Sequence, residues 1–397
     1  MLLKWAGSRI KIAYQCHSGL ACSSALYTFE DNNKSKFFLN FSQKEEGQMI
    51  ISKKKKSFAV SDSLRRYLKK YERDTELPLR YSDLLRFTDA FPLLNKYGED
   101  TLWESVVYPQ FMMEELNRHL TLMYALLKTD GDITVMEHLY VDRIDYCTFG
   151  NSKPFRVRIV NHFNDNHDYF YIKMADASRV YGLELEHILS PNRINYLVHE
   201  QTLIEEHIAG IPGDDFIRHY LGRPSLNKVR IAKEFVKFNE RCYVKLLGDM
   251  RSYNYVIDIT PDFDEEQYRV RAIDFDQQCY EGHRKMYLPQ FFKENNPVVQ
   301  LCLAHLTPET VRQYQYEERT LMAKRVKSAR HRMKDLIESM QRDTLSLPEK
   351  VEQLRRELQE HHQNPEFAKC QNMGDLLRTH LKGMLADLKP WWRSIRP

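Results

Sequence analysis

"LLGDMRSYNYVIDI", Leu246 to Ile259, puts Asp249 and Asn254 five residues apart just before an apolar run, and "RAIDFDQQ", Arg271 to Gln278, brings Asp274 to the end of another. The runs "YNYVIDIT" and "QYRVRAIDF" are rich in β-branched and aromatic residues, and the "PDFDEE" between them is polar, a pattern that predicts a hairpin. If the strands pair, Asp249 and Asn254 bracket the loop entering one strand and Asp274 ends the other, so all three meet at one end. Two carboxylates and a carboxamide are hard oxygen ligands of the kind Mg²⁺ accepts together with nucleotide phosphates. One carboxylate can stay off the metal and act as a base. The plainer alternative is that Asp249 and Asn254 are turn formers, a common role for both. Asp274, between Ile273 and Phe275, points away from its apolar neighbours into solvent or a site, and Asp276 shares its face by period two.

Upstream, "HLYVDRIDYCTFG", "FRVRIVNHF" and "HDYFYIKMAD" read as three antiparallel strands separated by "NSKP" and "NDNH" turns, with Lys173 on the third. In "NRINYLVHEQTLIEEHIAGI", Ile194, Leu197, Gln201, Ile204 and Ile208 share one side at helical spacing, which predicts a helix carrying Glu200 and Glu205. Another helix, "NKVRIAKEFVKFNERCYVKLL", leads into the opening stretch. The segment from Ser61 to Ile133 reads as helical, and the apolar, Met-rich face of "QFMMEELNRHLTLMYALLK" is read as core. Past Leu306 a long charged helix runs to Met340, and a second starts where Ser346 and Glu349 have capping-box spacing; the two are expected to form a helical hairpin. The "EHHQ" pair, His361 and His362, is read as surface, with no metal-ligand spacing. These patterns predict an α+β protein.

The ordered set resembles the protein-kinase-like superfamily, in the variant form shared by aminoglycoside phosphotransferases and other atypical kinases. There D-x-x-x-x-N is followed by a β-hairpin and a D-F-G or I-D-x-D motif. The resemblance covers about Tyr140 to Asn296 and implies a two-lobed core, a small antiparallel β lobe and a helical lobe, flanked by N- and C-terminal helices. It implies ATP and Mg²⁺ as cofactors and transfer of the γ-phosphoryl group to a hydroxyl of a protein or small molecule. By carry-over, Asp249 is the catalytic base with Arg251 beside the transferring group, and Asn254 and Asp274 hold the metal. Lys173 orients phosphates, Glu200 or, less favoured, Glu205 holds Lys173, and Gly150 is the glycine available to a phosphate-covering loop. Leu247 stands where the pattern has histidine and Asp276 where it has glycine. The implied divisions are a flexible basic leader at 1–57, a helical region at 58–138, the small lobe at 139–211, the large lobe at 212–305, and a helical hairpin with a basic aromatic tail at 306–397.

Composition narrows the field. With 59 Lys and Arg against 55 Asp and Glu, overall charge does not favour nucleic acid, and the basic stretch "AKRVKSARHRMK" lacks interleaved aromatics. Seven scattered cysteines without a CxxC pair suit reduced thiols and a cytoplasmic location. There is no apolar run long enough for a membrane span, and polar residues interrupt every h-region near the N-terminus. The "KKKK" run at Lys53 to Lys56 reads as a solvated cluster in a flexible stretch. A non-enzymatic alternative, a kinase-like or helical scaffold that binds another protein through its C-terminal helices, stays open.

Overall fold

The computed structural model describes residues 55–95, 98–129, 137–148, 152–263 and 265–385. Helices α1 (Asp62–Lys70) and α2 (Tyr81–Leu84) precede a hairpin of β1 (Asp89–Leu94) and β2 (Asp100–Val107). Helix α3 (Gln110–Lys128) leads into a meander of β3 (Leu139–Cys147), β4 (Phe155–Asn161) and β5 (His167–Met174). Then come α4 (Ala177–Leu189), β6 (Tyr196–His199), β7 (Thr202–Glu206), β8 (Ile211–Pro212), α5 (Gly213–His219) and α6 (Lys228–Lys245). The hairpin of β9 (Tyr255–Asp262) and β10 (Glu265–Ala272) follows, and the remaining helices are α7 (Asn296–His305), α8 (Pro308–Ser328), α9 (Arg330–Arg342), α10 (Pro348–His362) and α11 (Met373–Met384). The class is α+β, as the patterning predicts.

Among the described residues seven strands form one antiparallel sheet in the order β1-β2-β3-β4-β5-β7-β6, and a second sheet runs β10-β9-β8. Alternation along the strands decides what each face carries. In β4, Phe155, Val157 and Ile159 join Ile144, Phe170, Ile172 and Ile204 in a core covered by Leu116, Leu120, Met123 and Leu127 of α3. Each such burial contributes on the order of 2 kcal/mol. Ile172 points into this core, so its neighbour Lys173 is sent to the opposite face. That face meets α4, which is buried along almost its whole length and packs against α8 and α9.

Several expectations need correction. The 58–138 stretch holds the β1/β2 hairpin as well as helices. The helix expected over 192–211 is instead the β6/β7 hairpin: Tyr196, Leu197 and Val198 and then Thr202, Leu203 and Ile204 are buried on both faces, so the run imitates helical spacing. Glu200 is therefore at a turn, with φ of 50°, and its exposed carboxylate pairs with Arg80 at 3.1 Å. Lys55 belongs to no solvated cluster, because it is buried and its Nζ meets Asp176 Oδ2 at 2.5 Å. The long C-terminal helix breaks at Ala329; α8 packs on α6 and α9 on α11, so the hairpin with α10 is not the main contact. Ser346 does not cap α10; its Oγ donates to the Tyr280 carbonyl at 2.5 Å. Residues 1–54 of the leader, Gly150 and the aromatic tail from 386 on lie outside the described residues.

His361 and His362 are half-buried and join a cluster at the junction of α6, α10 and α11. His380, fully buried, donates from Nε2 to the Tyr243 carbonyl at 3.0 Å, which leaves its Nδ1 to accept from His362 Nε2 at 3.1 Å. Burial, and then the nearby Arg284, lowers His362 to about 4 and His361 to about 3, and burial with the neighbouring His362 lowers His380. Groups held neutral by folding stabilise above their unfolded value near 6.5, and that contribution is lost as pH falls toward 4. Thermal unfolding is therefore expected at progressively lower temperature from pH 6.5 to 4.5, with a shallower slope in His362→Gln, which keeps a donor but takes up no proton. A melting temperature flat across that window in the wild type would contradict the cluster's role.

Candidate active site

Helix α6 ends at Leu246 in the left-handed region, φ 55°, and Asp249 three residues later repeats it, φ 57°. Such positions cost about 1 kcal/mol each for non-glycine residues and persist only where the surroundings over-determine them. Here backbone bonds do so. Leu247 N donates to Cys242 O at 2.9 Å, Cys279 N to Leu246 O at 2.9 Å, Gly248 N to Gln277 O at 3.2 Å, and Asp249 N to Met286 O at 3.1 Å. Leu247 is fully buried and bridges Gln278 through the backbone, so main-chain pairing ties this loop to the 276–279 segment.

The opening constellation closes as its spacing predicts. The Asn254 amide Nδ2 donates to the Asp249 carbonyl at 2.7 Å, and Ile273 N donates to the Asn254 carbonyl at 3.0 Å. Asp274 thus begins where Asn254 ends the loop. Arg251 Nε donates to Asp249 Oδ1 at 2.9 Å and its NH1 to Glu294 Oε1 at 2.8 Å. Burial raises Asp249 above the usual carboxylate range, Arg251 opposes this, and the charge of nearby Asp274 adds to it.

Lys173 Nζ meets Glu205 Oε2 at 2.9 Å, so its partner is the strand residue Glu205 and not Glu200. Both side chains are buried, and burial pushes the ammonium below its ordinary value. Burial also works against the Glu205 charge, yet Arg179 and Lys173 outweigh it and hold the carboxyl at about 2. Arg179, on the first turn of α4, is the centre of this cluster, with 2% of its side chain exposed. Its Nε and NH2 grip Glu205, NH2 at 2.7 Å, and NH2 also reaches the Ile273 carbonyl at 3.3 Å. Its NH1 donates to Asp274 Oδ1 at 2.8 Å and Asp276 Oδ1 at 2.9 Å. Burial opposes the Asp276 charge, and Arg179, Lys55 and Lys173 overcome it. In Asp274, burial and the adjacent Asp276 prevail and raise the carboxyl.

The fold therefore brings together Asp249, Arg251, Asn254, Asp274 and Lys173, and leaves Glu200 outside. It adds Arg179 and Glu205, and Asp176, which caps α4 and is gripped by Lys55, Ser57 and the Phe58 amide. Arg179 was detectable as the one Lys or Arg of "ASRVYGLELEHIL", just after Lys173. Among the described residues no group of three or more His, Cys, Asp or Glu side chains is set to hold a metal. The donor set still suits Mg²⁺ bound largely through nucleotide phosphates: one oxygen of Asp274 is taken, but 35% of the side chain is exposed, and Asn254 stands beside it. No family model and no curated protein matches this chain.

Proposed function

We propose that the chain is an ATP- and Mg²⁺-dependent phosphotransferase with a two-lobed, kinase-like arrangement, acting on a hydroxyl of a protein or small molecule. The observation that carries this reading is the stitching of Asp249, Asn254 and Asp274 into one end of the β9/β10 hairpin. The chain order supports it as well. A strand bearing a paired lysine, a helix, two strands, further helices, the Asp249 loop and then Asp274 follow the sequence of parts in the resembled superfamily. The departure is chemical: where that pattern has a helix glutamate, α4 offers Arg179, and Glu205 on β7 holds the lysine in its place.

Lys173 would steady the phosphates while Glu205 fixes its ammonium. Asp274 and Asn254 would hold Mg²⁺, which when bound neutralises charge on the phosphates. Asp249 accepts the proton of the acceptor hydroxyl as the oxygen forms its bond to the γ-phosphorus. The bond from that phosphorus to the β-phosphate oxygen breaks, and ADP departs with the electron pair. Positioning and charge neutralisation carry most of the rate.

Thermal shift with ATP, with and without Mg²⁺, tests the reading on the wild type and Asp274→Asn. At saturating ATP the wild type is expected to gain about 3 °C with Mg²⁺. Asp274→Asn is expected to lose the Mg²⁺-dependent part. Equal shifts in both proteins would remove the metal role, and no shift in either would leave the scaffold reading standing.

A further inference from the structure

Arg179 has no part in the transfer step above, yet it is the most heavily bonded cation of the site. Its five N–H groups go to Glu205 twice, Ile273 O, Asp274 and Asp276, so its bonding capacity is spent on the cluster. Asp274 Oδ1 accepts both Arg179 NH1 at 2.8 Å and the Asp276 amide at 3.1 Å. One carboxylate oxygen of Asp274 is thereby occupied, and one remains.

We infer that Arg179 is a resident counter-ion that permanently holds one oxygen of Asp274 and so restricts the site to a single divalent ion. The inference rests on the phosphotransferase reading. A carboxylate serving two ions offers both oxygens, or bridges with one that has lone pairs to spare, and Asp274 Oδ1 already accepts two donors. Arg179 denies Asp274 both arrangements.

Its position is not adjustable. The first turn of α4 is capped by Asp176, whose carboxylate is itself tied to Lys55, Ser57 and Phe58. One turn on, Gly182 lies so close to the metal segment that a Cβ there would stand 2.9 Å from Phe275 Cβ. Helix and 273–276 segment are docked by a small residue over Phe275 and a guanidinium on the carboxylates to either side. Lysine cannot reproduce this, because one ammonium lacks the planar fork that reaches Glu205 and both aspartates.

Mn²⁺ serves as the probe, counted by the loss of its free-ion spin-resonance signal on protein loaded with the non-hydrolysable β,γ-imido analogue of ATP. One Mn²⁺ per wild-type chain is expected, and two per chain in Arg179→Lys, with circular dichroism reporting that the variant is folded. Two ions in the wild type overturn the inference and leave the phosphotransferase reading intact. One ion in both proteins removes Arg179 as the cause. No bound ion in the wild type overturns the inference together with the reading beneath it. Should Arg179→Lys fail to fold, the wild-type count decides.

Discussion

Asp249→Asn is expected to slow the proposed phosphoryl transfer by about 10²- to 10⁴-fold, the usual contribution of a positioned base, with Mg²⁺-ATP binding kept. The substitution is close to isosteric, and the surroundings accommodate it. Asparagine tolerates the left-handed backbone at φ 57°. The Arg251 Nε bond can still be accepted by the carboxamide oxygen, and Arg251 keeps Glu294 at 2.8 Å. Asn254 is bonded to the backbone carbonyl of residue 249, which the change does not touch. What disappears is the ability to take a proton. Because burial raises the Asp249 carboxyl, wild-type transfer should climb with pH through that elevated titration, and the variant should lack this limb. Single-turnover consumption of γ-labelled ATP, with water as acceptor where none better is known, measures both effects. Unchanged turnover with unchanged pH dependence would place the base elsewhere.

The parts of this site that were legible in the sequence share one property: their signals are local. Helix α6 announces itself through Ile231, Phe235, Val236, Phe238 and Cys242, and the β9/β10 hairpin through its alternation and polar loop. Asp249, Asn254 and Asp274 follow from that hairpin directly. Glu205 was harder to read. The β6/β7 turn contains no glycine or asparagine, only Glu200 in the left-handed region, and both strands are buried on both faces, so period two was hidden. The Lys173 to Glu205 pairing is a matter of sheet register, since Tyr171 stands opposite Glu205 across β5 and β7, and register over such a distance leaves no local mark. Lys55 was hidden for the opposite reason. A run of four lysines ordinarily stays in water, and its last-but-one member is drawn inside only because Asp176, 121 residues later, needs a counter-charge at the start of α4. Arg179 is the same case. Its side-chain partners come from two distant segments, β7 and residues 273–276, and only the folded chain shows that an arginine buried in α4 is saturated and not misplaced.

That saturation makes Arg179→Met the most destabilising single change foreseen in this cluster. Replacing a buried ion pair by a well-packed apolar group can be neutral, but removing one member alone leaves the others uncompensated at a cost of about 3–5 kcal/mol. Methionine fits the volume of the arginine stem, so lost packing contributes little and the loss falls on charge. Glu205, Asp274 and Asp276 are then left with Lys173 and with the field of Lys55, which is itself bonded to Asp176. The midpoint of urea unfolding at pH 7 should fall accordingly, and Arg179→Met with Glu205→Gln should recover part of the loss, because the double change removes an orphaned charge instead of creating one. The pH dependence separates this account from mere disruption of packing. In the wild type Glu205 is held at about 2, below its unfolded value near 4.3, so its stabilisation is present above that unfolded value and is lost as pH falls toward 2. Without Arg179 only Lys173 still works against the burial of the carboxyl, which is depressed less, and acid relieves the variant by neutralising what it cannot pair. The stability gap between wild type and variant should therefore be widest at neutral pH and narrow between about pH 4.5 and 2.5. A gap that stays constant through this window would mean that Arg179 supports the fold through its contacts and not through its charge.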